Sequence, residues 1–127
     1  MTRPLLPLPR EGARVRLQAG TGPTVNVVRL ADEVVVGSAH ISVSRGSLTI
    51  ERLCIEEPFR GYGCGSEAVR LLLEAASGRY RRVRAWAPPG LGLAVYFWSR
   101  MGLRPLFGDG PEGGIWFERD LGRPGAA

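Results

Sequence analysis

The stretch Arg60-Gly61-Tyr62-Gly63-Cys64-Gly65-Ser66 separates two patterns of apolar residues in this chain of 127 residues. Residues 47–55 before it are typical of an extended strand, and residues 67–76 after it carry apolar side chains at helical spacing. The alternating glycines lack Cβ atoms, so the backbone can approach a ligand closely and its N–H groups can converge on an anion. The next helical turn adds free N–H donors and the positive end of the helix dipole. Strand, glycine-rich turn and helix together predict a phosphate-binding site.

Two familiar phosphate-binding motifs do not fit this turn. A Walker loop requires Gly-Lys-Ser/Thr, and the chain contains no lysine. The dinucleotide-binding pattern requires a glycine where Ser66 or Ala68 stands, depending on which glycine begins it. The pattern that fits is Arg/Gln-x-x-Gly-x-Gly/Ala, represented by Arg60, Gly63 and Gly65. It resembles the acyl-CoA pyrophosphate loop of the GNAT N-acetyltransferases, and residues 50–55 resemble the strand that precedes this loop in the family.

The remaining apolar patterns predict further elements on both sides of the loop. Strands are predicted at residues 15–17, 25–30, 34–43, 47–55 and 83–87, a second helix at residues 92–101, and a hairpin at residues 103–107 and 115–119. This order predicts an α+β domain with a single mixed, mostly antiparallel sheet and at least two helices. Residues 1–12 are predicted as an extended or disordered arm, residues 13–121 as the single domain and residues 122–127 as a tail.

The resemblance covers residues 25–117 and is weakest near the start of the chain. Members of the family usually have two helices between their first and second strands, and those helices help to form the acceptor site. Between Leu17 and Val25 there is no room for them. The resemblance therefore implies a GNAT-like acyl-CoA-binding fold that lacks the usual two N-terminal helices. Its acceptor side is then open, or is completed by a partner subunit such as the second copy in a homodimer.

The strand before the loop contains a break in its alternation. Leu48 and Ile50 share one face, Arg52 stands where the next apolar residue is due, and the apolar phase resumes at Leu53 and Ile55. A one-residue slip is typical of a β-bulge, and bulges are common beside active sites. In the GNAT family a bulge in this strand separates it from the next strand and admits the pantetheine arm, which the resemblance implies here. The alternative is an edge residue with a solvated guanidinium.

The activity implied by the resemblance is direct transfer of an acetyl or short acyl group from acyl-CoA to a small-molecule or protein amine. Acetyl-CoA is then the acyl-donor substrate. Backbone N–H groups of residues 53–55 would hold the pantetheine and the acyl carbonyl, those of residues 61–66 would hold the pyrophosphate, and Arg60 would add a charge-assisted contact. The residues implied in acyl-CoA binding are Leu53, Cys54, Ile55, Arg60, Gly61, Tyr62, Gly63, Cys64, Gly65 and Ser66.

Two residues stand at the positions implied in catalysis. Many relatives carry a glutamate where Glu51 stands, close to the thioester, and it would accept the proton of the amine directly or through a water. The alternative is a surface glutamate on a sheet face, with or without an ion pair to Arg52. Relatives that use an acid often place a tyrosine four residues before the glycine that ends the second helix, and Trp98 stands there. An indole N–H donates a hydrogen bond but cannot pass a proton to a thiolate.

These departures from the family pattern leave a second interpretation open. Tyr96 lies two positions from Trp98, close to the opposite side of the helix, so it does not replace the missing acid. Leu91 replaces an asparagine that is frequent in relatives. Trp98 also fits the apolar stripe of its helix as a core residue. The chain is therefore either an active N-acetyltransferase or a catalytically impaired acyl-CoA-binding module that serves as a sensor or subunit.

Charge and composition limit the partners. The formal net charge is +5, and all the positively charged side chains counted in it are arginines. The cluster at residues 79–84 allows contact with nucleic acid, but the arginines are dispersed along the chain, which favours general solvation. In relatives that act on polyamines the position of Arg52 tends to be acidic. A polyamine acceptor is therefore disfavoured, and an acceptor with a carboxylate or phosphate suits the arginine better.

Cysteine spacing and hydropathy exclude several classes of protein. Cys54 and Cys64 have no partners at metal-ligand spacing, so no metal site is expected and both are predicted to be reduced. No apolar run approaches the roughly 20 residues that span a bilayer, and the first residues lack the features of a signal peptide. A cytoplasmic location is the resulting expectation. His40 is predicted to have a structural or exposed role on a strand.

Overall fold

The computed structural model describes residues 5–87, 92–106 and 114–122. The helices are α1, Cys64–Ala76, and α2, Gly92–Arg100, with a short 3-10 helix at Glu57–Phe59. The strands are β1 Arg10–Glu11, β2 Val15–Ala19, β3 Thr24–Arg29, β4 Val34–Ser44, β5 Ser47–Ile55, β6 Arg82–Ala87, β7 Arg104–Pro105 and β8 Ile115–Asp120. They form one sheet in the order β1-β2-β3-β4-β5-β6-β8-β7. The β5–β6 pair is parallel and the other described pairs are antiparallel.

The predicted fold class is confirmed: one mixed, mostly antiparallel sheet combines with two helices. Only residues 20–23 connect β2 to β3, so no helix lies between these two strands. The connection between β5 and β6 contains α1, as a parallel pair requires a crossover. The predicted strand at residues 34–43 is a single strand of 11 residues that pairs with β3 on one side and β5 on the other. None of the described helices is long and apolar enough to cross a membrane.

One face of the sheet is apolar and carries both helices. Cross-strand partners on this face include Leu17 with Val27 and Ala85 with Phe117, and all four side chains are buried. The buried side chains of α1 and Trp98 of α2 belong to the same hydrophobic core as these residues. The opposite face carries mainly polar side chains, and no described helix covers it. We call it the open face.

Helix α1 begins three residues earlier than the sequence predicts. Gly63 is its N-cap with φ of +83°, and Cys64 already lies in the first helical turn. The buried Cys64 side chain packs in the core, which fixes this turn despite the low helix propensity of glycine and serine beside it. The second half of the predicted loop is therefore the start of the helix, and its unbonded N–H groups become part of the candidate site.

The N-terminal segment packs against the domain from Leu5 onward. Leu6 is only 2% exposed and lies in the core. The Tyr80 hydroxyl donates a hydrogen bond to the Leu5 carbonyl oxygen. β1 then pairs with β2 as the first strand of the sheet. The predicted boundary between residues 12 and 13 thus lies between two strands that pair with each other. Residues 1–4 of the predicted arm and residues 123–127 of the predicted tail lie outside the described residues.

Candidate functional site

Strands β5 and β6 diverge halfway along β5. Their parallel pairing extends from Ser47 with Arg82 to Ile50 with Ala85. Beyond this point β5 continues to pair with β4, and β6 continues to pair with β8. Residues 51–55 therefore form one wall of an opening in the middle of the sheet, because they have no strand partner on the β6 side.

The divergence begins at a bulge, as the break in alternation predicts. His40 of β4 pairs with Arg52, whereas the next residue, Ile41, pairs with Ile50. Glu51 is the extra residue between these two pairs. The slip moves Arg52 onto the open face beside His40 and leaves Glu51 at the mouth of the opening.

The hydrogen-bond alternation of β5 decides which N–H groups face the opening. The Glu56 N–H donates to the Val36 carbonyl oxygen of β4, with an N···O distance of 2.9 Å. Because successive N–H groups of a strand point to opposite sides, Cys54 also directs its N–H to β4, where it pairs with Ser38. The N–H groups of Leu53 and Ile55 point towards the opening. Leu53 and Ile55 are thus the two residues, of the three predicted to hold pantetheine, whose backbone N–H groups face the opening.

A cavity of about 400 Å³ occupies the opening, and we call it the wedge cavity. Its lining residues are Ile50, Glu51, Arg52, Leu53, Trp86, Ala94, Phe97 and Trp98. Glu51 is exposed at its mouth, and no ion pair joins it to Arg52 or to another residue of the described chain. Trp98 is 5% exposed and packs edge-to-face on Phe97, with ring centroids 5.0 Å apart. Leu91 lies outside the described residues, and Tyr96 is exposed.

A second cavity of about 390 Å³ adjoins the glycine-rich turn, and we call it the loop cleft. It is lined by Ile55, Phe59, Arg60, Gly61, Gly63, Cys64, Gly65, Ser66, Phe97 and Arg100. Phe97 lines both cavities, so the loop cleft and the wedge cavity lie next to each other at this ring. The sequence analysis places Tyr62 in the same group, but its side chain is exposed and lines a separate cavity on the other side of the turn.

The start of α1 presents unbonded N–H groups to the loop cleft. The first described bond of the helix is donated by the Glu67 N–H to the Gly63 carbonyl oxygen, and no side chain caps this end. The N–H groups of residues 64–66 therefore have no bond within the helix, and the positive end of its dipole lies there. Gly61 and Gly63 have φ values of +88° and +83°, a conformation that favours glycine. This arrangement fits a diphosphate group.

Arginines surround this anion site. The Arg60 Nε donates to the Ile55 carbonyl oxygen at 2.7 Å, which holds the guanidinium at the end of β5. Arg100 contributes a second positive charge from the last turn of α2. Phe97 and Arg100 were not predicted from the sequence as lining residues. Their spacing of three puts them on one side of a predicted helix, but which side faced the loop was not evident from the sequence.

Glu67 is a further residue whose role the sequence analysis missed. Its side chain is 4% exposed, and one carboxylate oxygen accepts hydrogen bonds from the N–H groups of Arg14 and Val15, each at 2.6 Å. These charge-assisted bonds tie the first turn of α1 to the start of β2. The Arg14 guanidinium in turn lies next to Gly63, about 3.0 Å from the position that a Cβ atom would take. Glu67 thus fixes the turn from behind, away from the loop cleft.

The arginine-rich segment at residues 79–84 does not form a continuous basic surface. Tyr80 is buried within it. The Glu118 carboxylate accepts a hydrogen bond from the Arg84 Nε at 2.9 Å, and the same oxygen lies 3.7 Å from a guanidinium nitrogen of Arg82. One carboxylate therefore offsets the charge of two of the arginines. This arrangement favours the interpretation of a solvated surface over that of a nucleic-acid contact. Among the described residues, no group of three or more His, Cys, Asp or Glu side chains is placed to hold a metal ion.

The chain is similar in sequence to known acetyltransferases. The profile of the Acetyltransferase (GNAT) family matches residues 3–103. A mycothiol acetyltransferase from Actinosynnema mirum is 34% identical over 97 residues, which are 74% of this chain and 32% of that protein. The chain therefore spans about a third of that relative's length.

Solved structures show the same fold. An acetyltransferase from Thermus thermophilus has a TM-score of 0.66 and 24% identity, with 85% of this chain and 65% of that chain covered. A GNAT family acetyltransferase from Elizabethkingia anophelis, solved with acetyl-CoA bound, has a TM-score of 0.65 and 12% identity. In that comparison 85% of this chain and 77% of the other are covered.

Proposed function

Because the chain belongs to the GNAT family of acetyltransferases, we propose that it transfers an acetyl or short acyl group from acyl-CoA to an amine. The observation that carries this proposal is that the loop cleft and the wedge cavity are neighbours, with Phe97 lining both. The loop cleft is suited to a diphosphate, and the wedge cavity has a free carboxylate. Acyl-CoA has its diphosphate and its thioester at separate places along one extended molecule, so it can occupy both.

The acyl-CoA would lie along the free edge of β5. N–H groups of residues 64–66 and the guanidinium groups of Arg60 and Arg100 would hold the pyrophosphate. The pantetheine arm would pass Phe97 and bond to the N–H groups of Leu53 and Ile55. A backbone donor aimed at the acyl carbonyl oxygen would also stabilise the negative charge that develops there during transfer.

Transfer would proceed by direct attack on the thioester. The neutral amine nitrogen forms a bond to the carbonyl carbon, and the carbon–sulfur bond breaks as CoA leaves with the bonding electrons. Glu51 accepts the proton of the attacking nitrogen, directly or through a water. The described lining of the wedge cavity contains no tyrosine, cysteine, serine or threonine to protonate the leaving sulfur. A thiol with a pKa of about 8.5 is an acceptable leaving group without such an acid.

Release of free CoA in the presence of a panel of amines tests this proposal. Glu51→Gln should lower kcat by about 100-fold or more, because it removes the base, and should leave acetyl-CoA affinity unchanged in calorimetry. Glu57→Gln removes an exposed carboxylate from the 3-10 helix outside both cavities and serves as the control. Equal rates in the parent and Glu51→Gln would exclude Glu51 as the base.

A catalytically impaired acyl-CoA-binding module is the second candidate, favoured by the burial of Trp98 at the position of the usual acid. Tight binding of acetyl-CoA, with no release of free CoA in the presence of any amine, would support it. Robust turnover that collapses in Glu51→Gln would eliminate it. Trp98→Tyr adds a hydroxyl at the same helix position, and a gain of turnover in this variant would identify the missing acid as the defect.

A further inference from the structure

Polar side chains form two adjacent rows across the open face. Thr24, His40 and Arg52 are neighbours across β3, β4 and β5, because Thr24 pairs with His40 and His40 with Arg52. The next row, one step along the strands, contains Asn26, Ser38 and Cys54. Side chains of one strand that lie two residues apart share a face, so the two rows form a contiguous patch. We call these six residues the polar grid.

The polar grid is concave. A cavity of about 330 Å³, the open-face cavity, is lined by Asn26, Val35, Gly37, Ser38, His40, Arg52, Cys54 and Glu56. Arg52 also lines the wedge cavity, so it stands between the two spaces. Glu51 precedes Arg52 directly and lines the wedge cavity. A small molecule that contacts Arg52 therefore lies beside the carboxylate proposed to accept the proton.

The charge of the grid is positive at the end next to Glu51. Arg52 is exposed and forms no ion pair with any residue of the described ranges. His40, its cross-strand neighbour, lies 3.5 Å from the Thr24 hydroxyl through Nε2 and is also exposed. Glu56 is the acidic residue of the cavity, but it is four residues from Arg52 along extended chain, a distance of about 13 Å. Arg52 is therefore an unpaired cation that an anionic group can contact, although the Glu51 carboxylate beside it offsets part of its attraction.

We propose that the polar grid is the acceptor site and that the acceptor is an amine which also carries an anionic group, a carboxylate or a phosphate. Arg52 binds the anionic group, with His40 as a second donor, and the amine of the same molecule reaches the thioester beside Glu51. The inference rests on the proposed function and names the substrate class for that site. The same arrangement repels a polyamine, which brings only positive charge to Arg52.

Arg52 selects the acceptor and takes no part in the covalent step. The bond from the amine nitrogen to the acyl carbon forms as the carbon–sulfur bond breaks, the proton goes to Glu51, and free CoA leaves. The anionic group is unchanged in the product. Loss of Arg52 should therefore raise the acceptor KM and leave kcat at saturating acceptor nearly unchanged, a division that a merely structural residue would not produce.

The experiment compares acceptors in matched pairs that differ only in the anionic group. One set pairs amino acids with their amides, and the other pairs O-phosphoethanolamine with ethanolamine. With the parent chain, kcat/KM should be about 10- to 100-fold higher for the anionic member, the value of a charge-assisted hydrogen bond. The set with the larger preference identifies the carboxylate or the phosphate as the group recognised.

Variants assign the preference to Arg52. Arg52→Gln should abolish the preference for the anionic acceptor. Arg52→Lys should retain part of this preference, because the positive charge stays while the bidentate hydrogen bonding of the guanidinium is lost. Arg70→Gln removes the same charge from the exposed side of α1 and should change nothing.

The outcomes separate the two proposals. Turnover with equal kcat/KM in every pair, or a preference that survives Arg52→Gln, overturns the inference alone. Absence of CoA release with every amine, while acetyl-CoA still binds, overturns the proposed function and this inference with it.

Discussion

Gly61 and Gly63 show why the glycine-rich turn needs its composition. Both have positive φ, in the region that costs other residues about 1–2 kcal/mol. Gly65 has an ordinary helical conformation, and a Cβ atom there would lie 3.5 Å from Ile55, a normal contact. The spacing pattern in the sequence treats these glycines alike, whereas the backbone requires glycine at residues 61 and 63 only.

Gly63→Ala should therefore weaken both folding and acyl-CoA binding. We expect the unfolding free energy to fall by about 1 kcal/mol and CoA affinity to fall about tenfold, because the strained turn relaxes and redirects the N–H groups of α1. Chemical denaturation and calorimetric titration with CoA measure the two effects.

Gly78→Ala is the matched control for this prediction. Gly78 ends α1 with φ of +84° and lies in open space away from the loop cleft. It should lower stability by a similar amount and leave CoA affinity unchanged. If Gly63→Ala binds CoA as tightly as Gly78→Ala does, the turn is not the phosphate site.

At the scale of elements, α1 is attached to the sheet by a carboxylate as well as by apolar packing. Glu67 is buried and accepts both N–H groups at the start of β2 through one oxygen. In the sequence, a glutamate in the first helical turn is explained by the helix dipole alone, so its contact with β2 was not predicted. Its long-range partners, Arg14 and Val15, precede it by more than fifty residues.

Glu67→Ala should destabilise the domain by about 3 kcal/mol, because the buried N–H of Val15 and the partly buried N–H of Arg14 would lose their acceptor. Glu67→Gln keeps an oxygen acceptor and should cost about 1 kcal/mol. Glu74→Ala, on the same helix, removes an exposed carboxylate 3.8 Å from Arg10 and should cost less than about 1 kcal/mol. Urea denaturation measures all three, and equal losses for Glu67→Ala and Glu74→Ala would contradict the anchoring role.

The connection between α1 and β6 contains Tyr80, a tyrosine whose pKa is higher in the folded protein than in the unfolded chain. Burial raises the pKa of Tyr80, because the phenolate loses solvation, and its hydroxyl donates to the Leu5 carbonyl oxygen. The folded pKa lies above the unfolded value of about 10. The stabilisation is therefore complete below pH of about 10 and is lost as the pH rises through the folded pKa.

Tyr80→Phe should lower the unfolding free energy by about 1 kcal/mol at neutral pH through loss of the hydrogen bond. It should also reduce the loss of stability above a pH of about 10. Tyr96→Phe, at a tyrosine that is 62% exposed, should change neither quantity. Denaturation series from neutral to alkaline pH measure the effect, and parallel curves for Tyr80→Phe and the parent would contradict it.

At the scale of the whole molecule, the segment that precedes the predicted boundary at residue 13 packs against the rest of the chain. Leu6 of this segment lies in the core, and Leu8 packs against the core from outside. Two prolines, Pro7 and Pro9, and the absence of any periodicity conceal this packing in the sequence. A single buried side chain leaves no repeating pattern, so the burial of Leu6 was not predictable.

Leu6→Ala should lower the unfolding free energy by about 3 kcal/mol, the usual cost of removing a buried leucine. Leu5→Ala provides the neighbouring control, because Leu5 is 37% exposed and its truncation should cost less than about 1 kcal/mol. Thermal and urea denaturation both measure the difference. Equal stability of the two variants would mean that the N-terminal segment does not contribute to the core in solution.

The sequence by itself determined the elements whose signals are local. The alternation in β5, its one-residue slip, the glycine-rich turn and the apolar stripe of α1 each depend on neighbouring residues, so the strand, the bulge, the turn and the presence of the helix were predictable, although the first residue of the helix was not. The catalytic roles of Glu51 and Trp98 stay predictions.

Only the tertiary structure decided which distant residues meet. It placed Phe97 and Arg100 opposite the turn, Glu67 against the start of β2, and His40 beside Arg52 on the open face. Such contacts depend on strand register and on how each helix packs against the sheet. A one-residue change of register moves a side chain to the opposite face, so no pattern within a single element determines its neighbours.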